Sequence, residues 1–140
     1  MPAEAYPSCR FYVMVDGQPQ GLFTEINGLL IEMDVMDYEE GGNNGFVHRL
    51  PGMTRVSNIT LKRGMTSSNE LFKWCAEIAG GKFTRRHVTI VMYDAAGTEL
   101  MRWNILNAYP VKWVGPQFSQ SGTDAAVETI ELAHEGISLG

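Results

Sequence analysis

The residues able to do chemistry are few and scattered. Glu32 and Asp34 stand two apart in LLIEMDVM. On a strand, positions i and i+2 share one face. Two carboxylates so placed could work as a general acid and base. No third polar group nearby in sequence completes such a site, so the pair reads as solvated. His48, His87 and His134 lie far apart, and none has metal-ligand spacing with Cys9 or Cys75. His87, inside a strand-like run, reads as a packed or surface histidine. Lys82, Arg85 and Arg86 form a small basic cluster, read as a solvated strand start or a donor of intersubunit salt bridges. Trp74, Trp103 and Trp113 are not interleaved with basic residues, so no stacking platform for nucleic acid is expected. The glycine pairs at 41–42 and 80–81 lack a following helix with a phosphate-binding lysine, and no nucleophile elbow is present. The expectation is a protein without catalytic residues, cofactor or metal.

The totals bound the class. The chain has 140 residues, 44% hydrophobic and 19% charged, with 15 glycines and two cysteines. That is one domain able to bury its own core. The glycine content suits turn-rich β structure. Two cysteines make no disulfide framework and point towards assembly in a reducing compartment. Cys75 reads as core filler in a helix, and Cys9 as part of a loose N-terminal arm. The first ten residues carry no apolar run, so no signal peptide is expected, and no stretch approaches a membrane span. A formal net charge of −5 leaves no basic footprint for nucleic acid.

Strands dominate the pattern. Residues 10–16 (RFYVMVD) place Phe11, Val13 and Val15 on one face, Tyr12 and Met14 on the other, before an Asp16-Gly17 turn. Residues 21–27 form a short extended piece. From Leu29 the chain alternates, with Ile31, Met33 and Val35 opposing Glu32, Asp34 and Met36. Residues 57–63 alternate again. Ser67 stands three before Glu70, the capping-box spacing, and Leu71, Cys75 and Ile78 recur at helical spacing. A helix over 68–79 follows, stopped by Gly80 and Gly81. One helix cannot form a layer, so it should cover an open end of the sheet system. Residues 85–94 and 98–105 form a hairpin around the turn at Asp94 and Gly97. Residues 106–117 carry Pro110 and Pro116 and read as irregular. Residues 125–134 read as a last strand, and 135–140 as a tail.

Between these strands, residues 38–56 keep neither a helical nor a strand period. Glycines and asparagines crowd a stretch that still carries Phe46, Leu50 and Met53. Loops this long are uncommon in compact domains and are usually functional or disordered. Disorder favours low apolar content and strong charge excess, which this stretch lacks. The expectation is an extended arm that packs on a neighbouring subunit.

The order of segments resembles the inner tail tube proteins of contractile phage tails and related contractile injection systems. The resemblance rests on Phe11, Val13, Asp16-Gly17, Gly28-Leu29 and Glu32; on Tyr38, Glu40, Gly41, Gly42 and Asn43; and on Leu50-Pro51-Gly52. It continues through NITLKRG at 58–64, Trp74, Gly81, Arg85-Arg86, Asp94, Gly97, Trp103, Asn107-Ala108, Pro110, Lys112, Gly115-Pro116, Glu128 and His134-Glu135-Gly136. It implies a mainly β, two-sheet sandwich or barrel-like subunit with one flanking helix. Six copies would close a continuous β-barrel in a hexameric ring, and rings would stack into a tube. It implies an arm of Tyr38, Glu40, Gly41, Gly42, Asn43, Phe46, Leu50, Pro51 and Gly52 between subunits. Lys62, Arg63, Arg85 and Arg86 are candidate interface charges, and Glu32 and Asp34 candidate lumen residues. Implied partners are other copies, a surrounding sheath, baseplate or tube-initiating and terminating proteins, and transient DNA or effector cargo. Its place would be a virion tail or a phage-tail-like particle. The rivals are a ring protein of a different puncturing machine, a tube-end adaptor, and a small β-rich enzyme or ligand-binding domain with residues 38–56 as a lid.

Overall fold

Alternation of β-branched and aromatic residues with polar ones builds most of this chain into sheet. The computed structural model describes residues 9–38, 48–64, 66–116 and 126–140. The strands are β1 (Arg10–Val15), β2 (Gln18–Phe23), β3 (Glu25–Asn27), β4 (Ile31–Tyr38), β5 (His48–Val56) and β6 (Ile59–Gly64). The helix α1 (Glu70–Ala79) precedes β7 (Arg86–Tyr93), β8 (Glu99–Val114), β9 (Val127–Ala133) and β10 (Gly136–Leu139). The body is ordered β2-β1-β7-β8-β9-β6-β3, with β10 also on β8, while β4 and β5 form a separate antiparallel pair.

Strand β8 makes this a sandwich. Its first part pairs with β7 and β10, and from Tyr109 onward it pairs with β9. The change of partner occurs beside Asn107, whose φ is +50°. A bend of this kind lets one strand pass from one sheet to the other. The irregular reading of 106–117 is therefore corrected: β8 runs through Pro110 to Val114. Pro110 is accommodated because the ladder shifts register between it and Lys112, and proline is tolerated at bulges. The reading of 135–140 as a tail is corrected too, because β10 pairs Ile137 with Ile105 and Leu139 with Trp103.

Between the sheets lie Val13, Val15, Ile59, Leu61, Val88, Ile90, Ile105, Ile130 and Leu132. Helix α1 closes one side with Leu71 and Trp74, and the Trp74 indole donates to the Thr84 carbonyl at 3.2 Å. The helix starts at Glu70, and Asn69 before it makes no capping hydrogen bond from its side chain. The expected capping box fails for a visible reason. Glu70 is the first residue of the helix rather than the third after a Ser67 cap, and its Oε2 accepts from Gln20 Nε2 at 2.6 Å. Two tight turns frame the hairpins: Asp16 and Gly17 both have positive φ, and Asp94 accepts at Oδ1 from the N–H groups of Ala96 and Thr98.

Candidate assembly interface

The stretch expected to be an arm without period is, in its described part, half of a hairpin. Strand β5 pairs with β4 from Ile31↔Val56 out to Tyr38↔His48. The reading of residues 48–56 as non-strand is corrected. The alternation is hidden by a register shift opposite Asp34, where Gly52 and Met53 fall in place of one residue. Gly52 suits the bulge, since a Cβ there would meet the Asp34 carbonyl at 3.1 Å and the Met36 side chain at 3.2 Å. Glu40, Gly41, Gly42, Asn43 and Phe46 lie outside the described residues.

Paired residues of an antiparallel ladder point to one side. One face of the hairpin therefore carries Ile31, Met33, Val35, Pro51, Thr54 and Val56, with charges only at the outer Asp37–Arg49 pair, 3.7 Å apart. The opposite face carries Glu32, Asp34 and Arg55 near the base, with Met36, Leu50 and Tyr38 further out. Arg55 donates to Asp34 at 2.9 Å. Burial normally hides residues such as Met33, Val35 and Met36, yet each is more than half exposed.

The base of the hairpin is fixed to the body. Gly28 has φ +97°, and a Cβ there would lie 2.1 Å from the Asn58 carbonyl oxygen. Ser57 Oγ donates to the Gly28 carbonyl at 3.1 Å. His134 Nε2 stands 2.8 Å from the Ser57 carbonyl, while its Nδ1 accepts from the Gly136 N–H at 3.1 Å. The Ser57 carbonyl can only accept, so Nε2 carries a proton and donates to it. Asn58 completes the tie by donating to Glu131 at 3.3 Å. His134 thus joins the end of β9 to the root of the hairpin, a role its isolation in sequence did not reveal.

The four candidate interface charges are already engaged within the chain. Lys62 lies 3.6 Å from Glu25. The Asn27 amide, then Lys62, hold the Glu25 carboxyl below the usual glutamate range. Arg85 meets Glu135 at 2.9 Å and lies over the rings of Phe83 and Tyr109. Arg86 lies 3.8 Å from Glu77 and over Trp74. Arg63 is a correction. Its side chain is 2% exposed and bonds Glu128 at 2.8 Å, so it cannot reach a neighbour. It also donates to the Gln20 carbonyl and stacks on Phe23, while Trp113 donates to the second oxygen of Glu128 at 3.0 Å. Among the described residues no group of three or more His, Cys, Asp or Glu is placed to hold a metal ion. No helix there is long and apolar enough to cross a membrane.

A two-sheet body with one covering helix and an outstretched, apolar-faced hairpin defines a structural protein built to join others. The chain belongs to the family of the T4-like virus tail tube protein gp19, whose model matches residues 7–138. A chain of the extended sheath–tube complex of an extracellular contractile injection system, PVC, is 32% identical, with TM-score 0.81, covering 99% of this chain and 91% of that one. A chain from the tube-terminating cap of the anti-feeding prophage is 27% identical, with TM-score 0.85, covering 100% and 93%. Hcp1 from Flavobacterium johnsoniae shares the fold at 20% identity, with TM-score 0.59 and 94% of both chains covered. No curated protein matches the chain. The chain is a tail tube structural protein, in the family of phage tails and extracellular contractile injection systems.

Proposed function

We propose that six copies of this chain close into a ring, that rings stack into the inner tube of a contractile tail or injection system, and that the tube conducts DNA or a protein effector. It does so without catalysis. The observation that carries this reading is the hairpin, whose apolar residues are exposed in the single chain. Exposed apolar surface of this extent marks an interaction site. A hairpin on one copy meeting a different surface on the next is a heterologous contact, and such contacts generate rings or stacked filaments. Tyr38, Leu50, Pro51 and Gly52 belong to this contact, together with Glu40, Gly41, Gly42, Asn43 and Phe46 of the same arm. Lys62, Arg85 and Arg86 sit at the surface where exchange of an internal carboxylate for a neighbour's is feasible. Glu32 and Asp34 line the channel. A sheath around the tube, a baseplate at one end and a terminator at the other are the partners that such a tube requires, as in the assemblies of its relatives.

Deletion of residues 42–52 tests the reading. The body strands do not pair with β4 or β5, so circular dichroism is expected to report a folded β protein. Sedimentation and electron microscopy are expected to find no tubes. Tubes of normal length from the deleted protein overturn the reading, and a full-length chain that stays monomeric under every assembly condition favours the lid alternative.

A further inference from the structure

The inner face of the β1–β7–β8–β10 sheet is longer than the layer that covers it. The register aligns its side chains in rows. Val15, Val88, Ile105 and Ile137 form a row inside the sandwich, followed by Val13, Ile90, Trp103 and Leu139, and then by Phe11, Met92 and Met101. Exposure rises along the rows. Val88 and Ile105 are fully buried, whereas Met101 is 41% exposed and Leu139 is 68% exposed. The uncovered end forms a groove of about 330 Å³ lined by Leu29, Leu30, Ile31, Met101, Trp103 and Leu139, with Ile137 and Ser138 beside them and no ionised side chain.

We propose that this groove receives the Met33–Val35 face of the hairpin of an adjacent copy. The inference rests on the self-assembly reading above and names the receiving surface for it. Three features select a second copy as occupant. The hairpin of the same chain only starts at the groove, where Ile31 forms part of the rim, and then runs outward with Met33 and Val35 exposed. Its face beyond Ile31 offers Met33, Val35 and Pro51, with Thr54 between them and charges only at the outer Asp37–Arg49 pair, so burial of the Met33–Val35 segment against an apolar wall strands no charge. The charges of the hairpin that form ion pairs do so among themselves, Arg55 with Asp34 and Arg49 with Asp37. The opposite face, with Glu32 and Asp34, stays in water.

Cross-linking tests this directly. In a Cys9→Ser, Cys75→Ser background, Val35→Cys protein is mixed with Leu139→Cys protein, assembled, and treated with a short bismaleimide. A cross-linked dimer is expected from the mixture and from neither protein alone. Leu139→Asp in the otherwise unchanged chain is expected to keep its circular dichroism spectrum and lose sedimenting tubes. Tubes that form from the cysteine mixture without the cross-link, or from Leu139→Asp at wild-type yield, overturn the groove assignment while the tube reading stands. A wild-type chain that forms no rings removes the tube reading itself. Removal of residues 1–8 is expected to leave the cross-link unchanged; a cross-link absent from the full-length mixture that appears only after this removal assigns the groove to that segment and overturns the proposal.

Discussion

Arg63 shows how far a single residue can depart from its type. In NITLKRG, strand alternation puts Lys62 opposite Ile59 and Leu61 and Arg63 in phase with them, while the resemblance makes both candidate interface charges. The structure buries Arg63 against Glu128, with Gln20, Phe23 and Trp113 around the pair. The sequence signal was present in part, because Glu128 falls in phase with Ile130 and Leu132 on β9, and these three are its buried residues. What could not be read was that β6 and β9 lie side by side, pairing Arg63 with Glu128. Breaking a buried pair leaves one charge stranded, at a cost of about 3–5 kcal/mol, while apolar replacement of both partners is often neutral. Arg63→Met is therefore expected to lower the urea midpoint sharply. Arg63→Met with Glu128→Leu is expected to regain most of the loss. Equal midpoints for the single and double variants would show that the pair is not coupled.

At the level of elements, legibility followed periodicity. Residues 86–93 alternate cleanly enough for β7 to be read from residue types, and the 3.6 spacing of Leu71, Cys75 and Ile78 marks α1. The elements that escaped notice each contain an interruption: Gly52 at the bulge in β5, Pro110 in β8, and the shortness of β10. Their strand character comes from partners distant in sequence, which no local pattern records. The hinge at Gly28 was equally hidden, since a lone glycine before Leu29 gives no hint of the Asn58 carbonyl 2.1 Å from where a Cβ would stand. Gly28→Ala must shift the backbone at a positive φ and push the hairpin root off β6. Strain of this kind costs about 1–3 kcal/mol. The expected outcome is a body whose melting temperature falls by several degrees and whose tubes are lost or malformed in electron micrographs. Wild-type tubes from this variant would mean that the hinge does not set the hairpin's direction.

For the whole molecule, charge is the quantity that repetition amplifies. In the proposed ring, six copies at −5 carry a formal −30, and lysine at both Glu32 and Asp34, the proposed channel residues, takes each chain to −1 and the ring to −6. A channel lined by acids repels a nucleic acid and lets it slide, whereas a channel lined by lysines holds it through phosphate contacts that salt weakens. The double lysine variant is expected to assemble and to retain single-stranded DNA in its tubes at low salt, releasing it as salt rises. Glu32→Lys alone, which spares the Asp34–Arg55 bond, is expected to show the same behaviour more weakly. Failure of the single variant to assemble would place this face at a subunit contact.

In the proposed ring, the tie of His134 and Ser57 to Gly28 bears on how many copies can close a circle. Each joint of a cyclic assembly repeats the same angle, so an error in the direction of one hairpin recurs at every subunit and accumulates around the circumference. A joint held by a histidine, a serine and a glycine with no room for a methyl group leaves that angle little freedom. Loosening it would show less as unfolding than as a mixed population of circles with the wrong number of members and of open spirals.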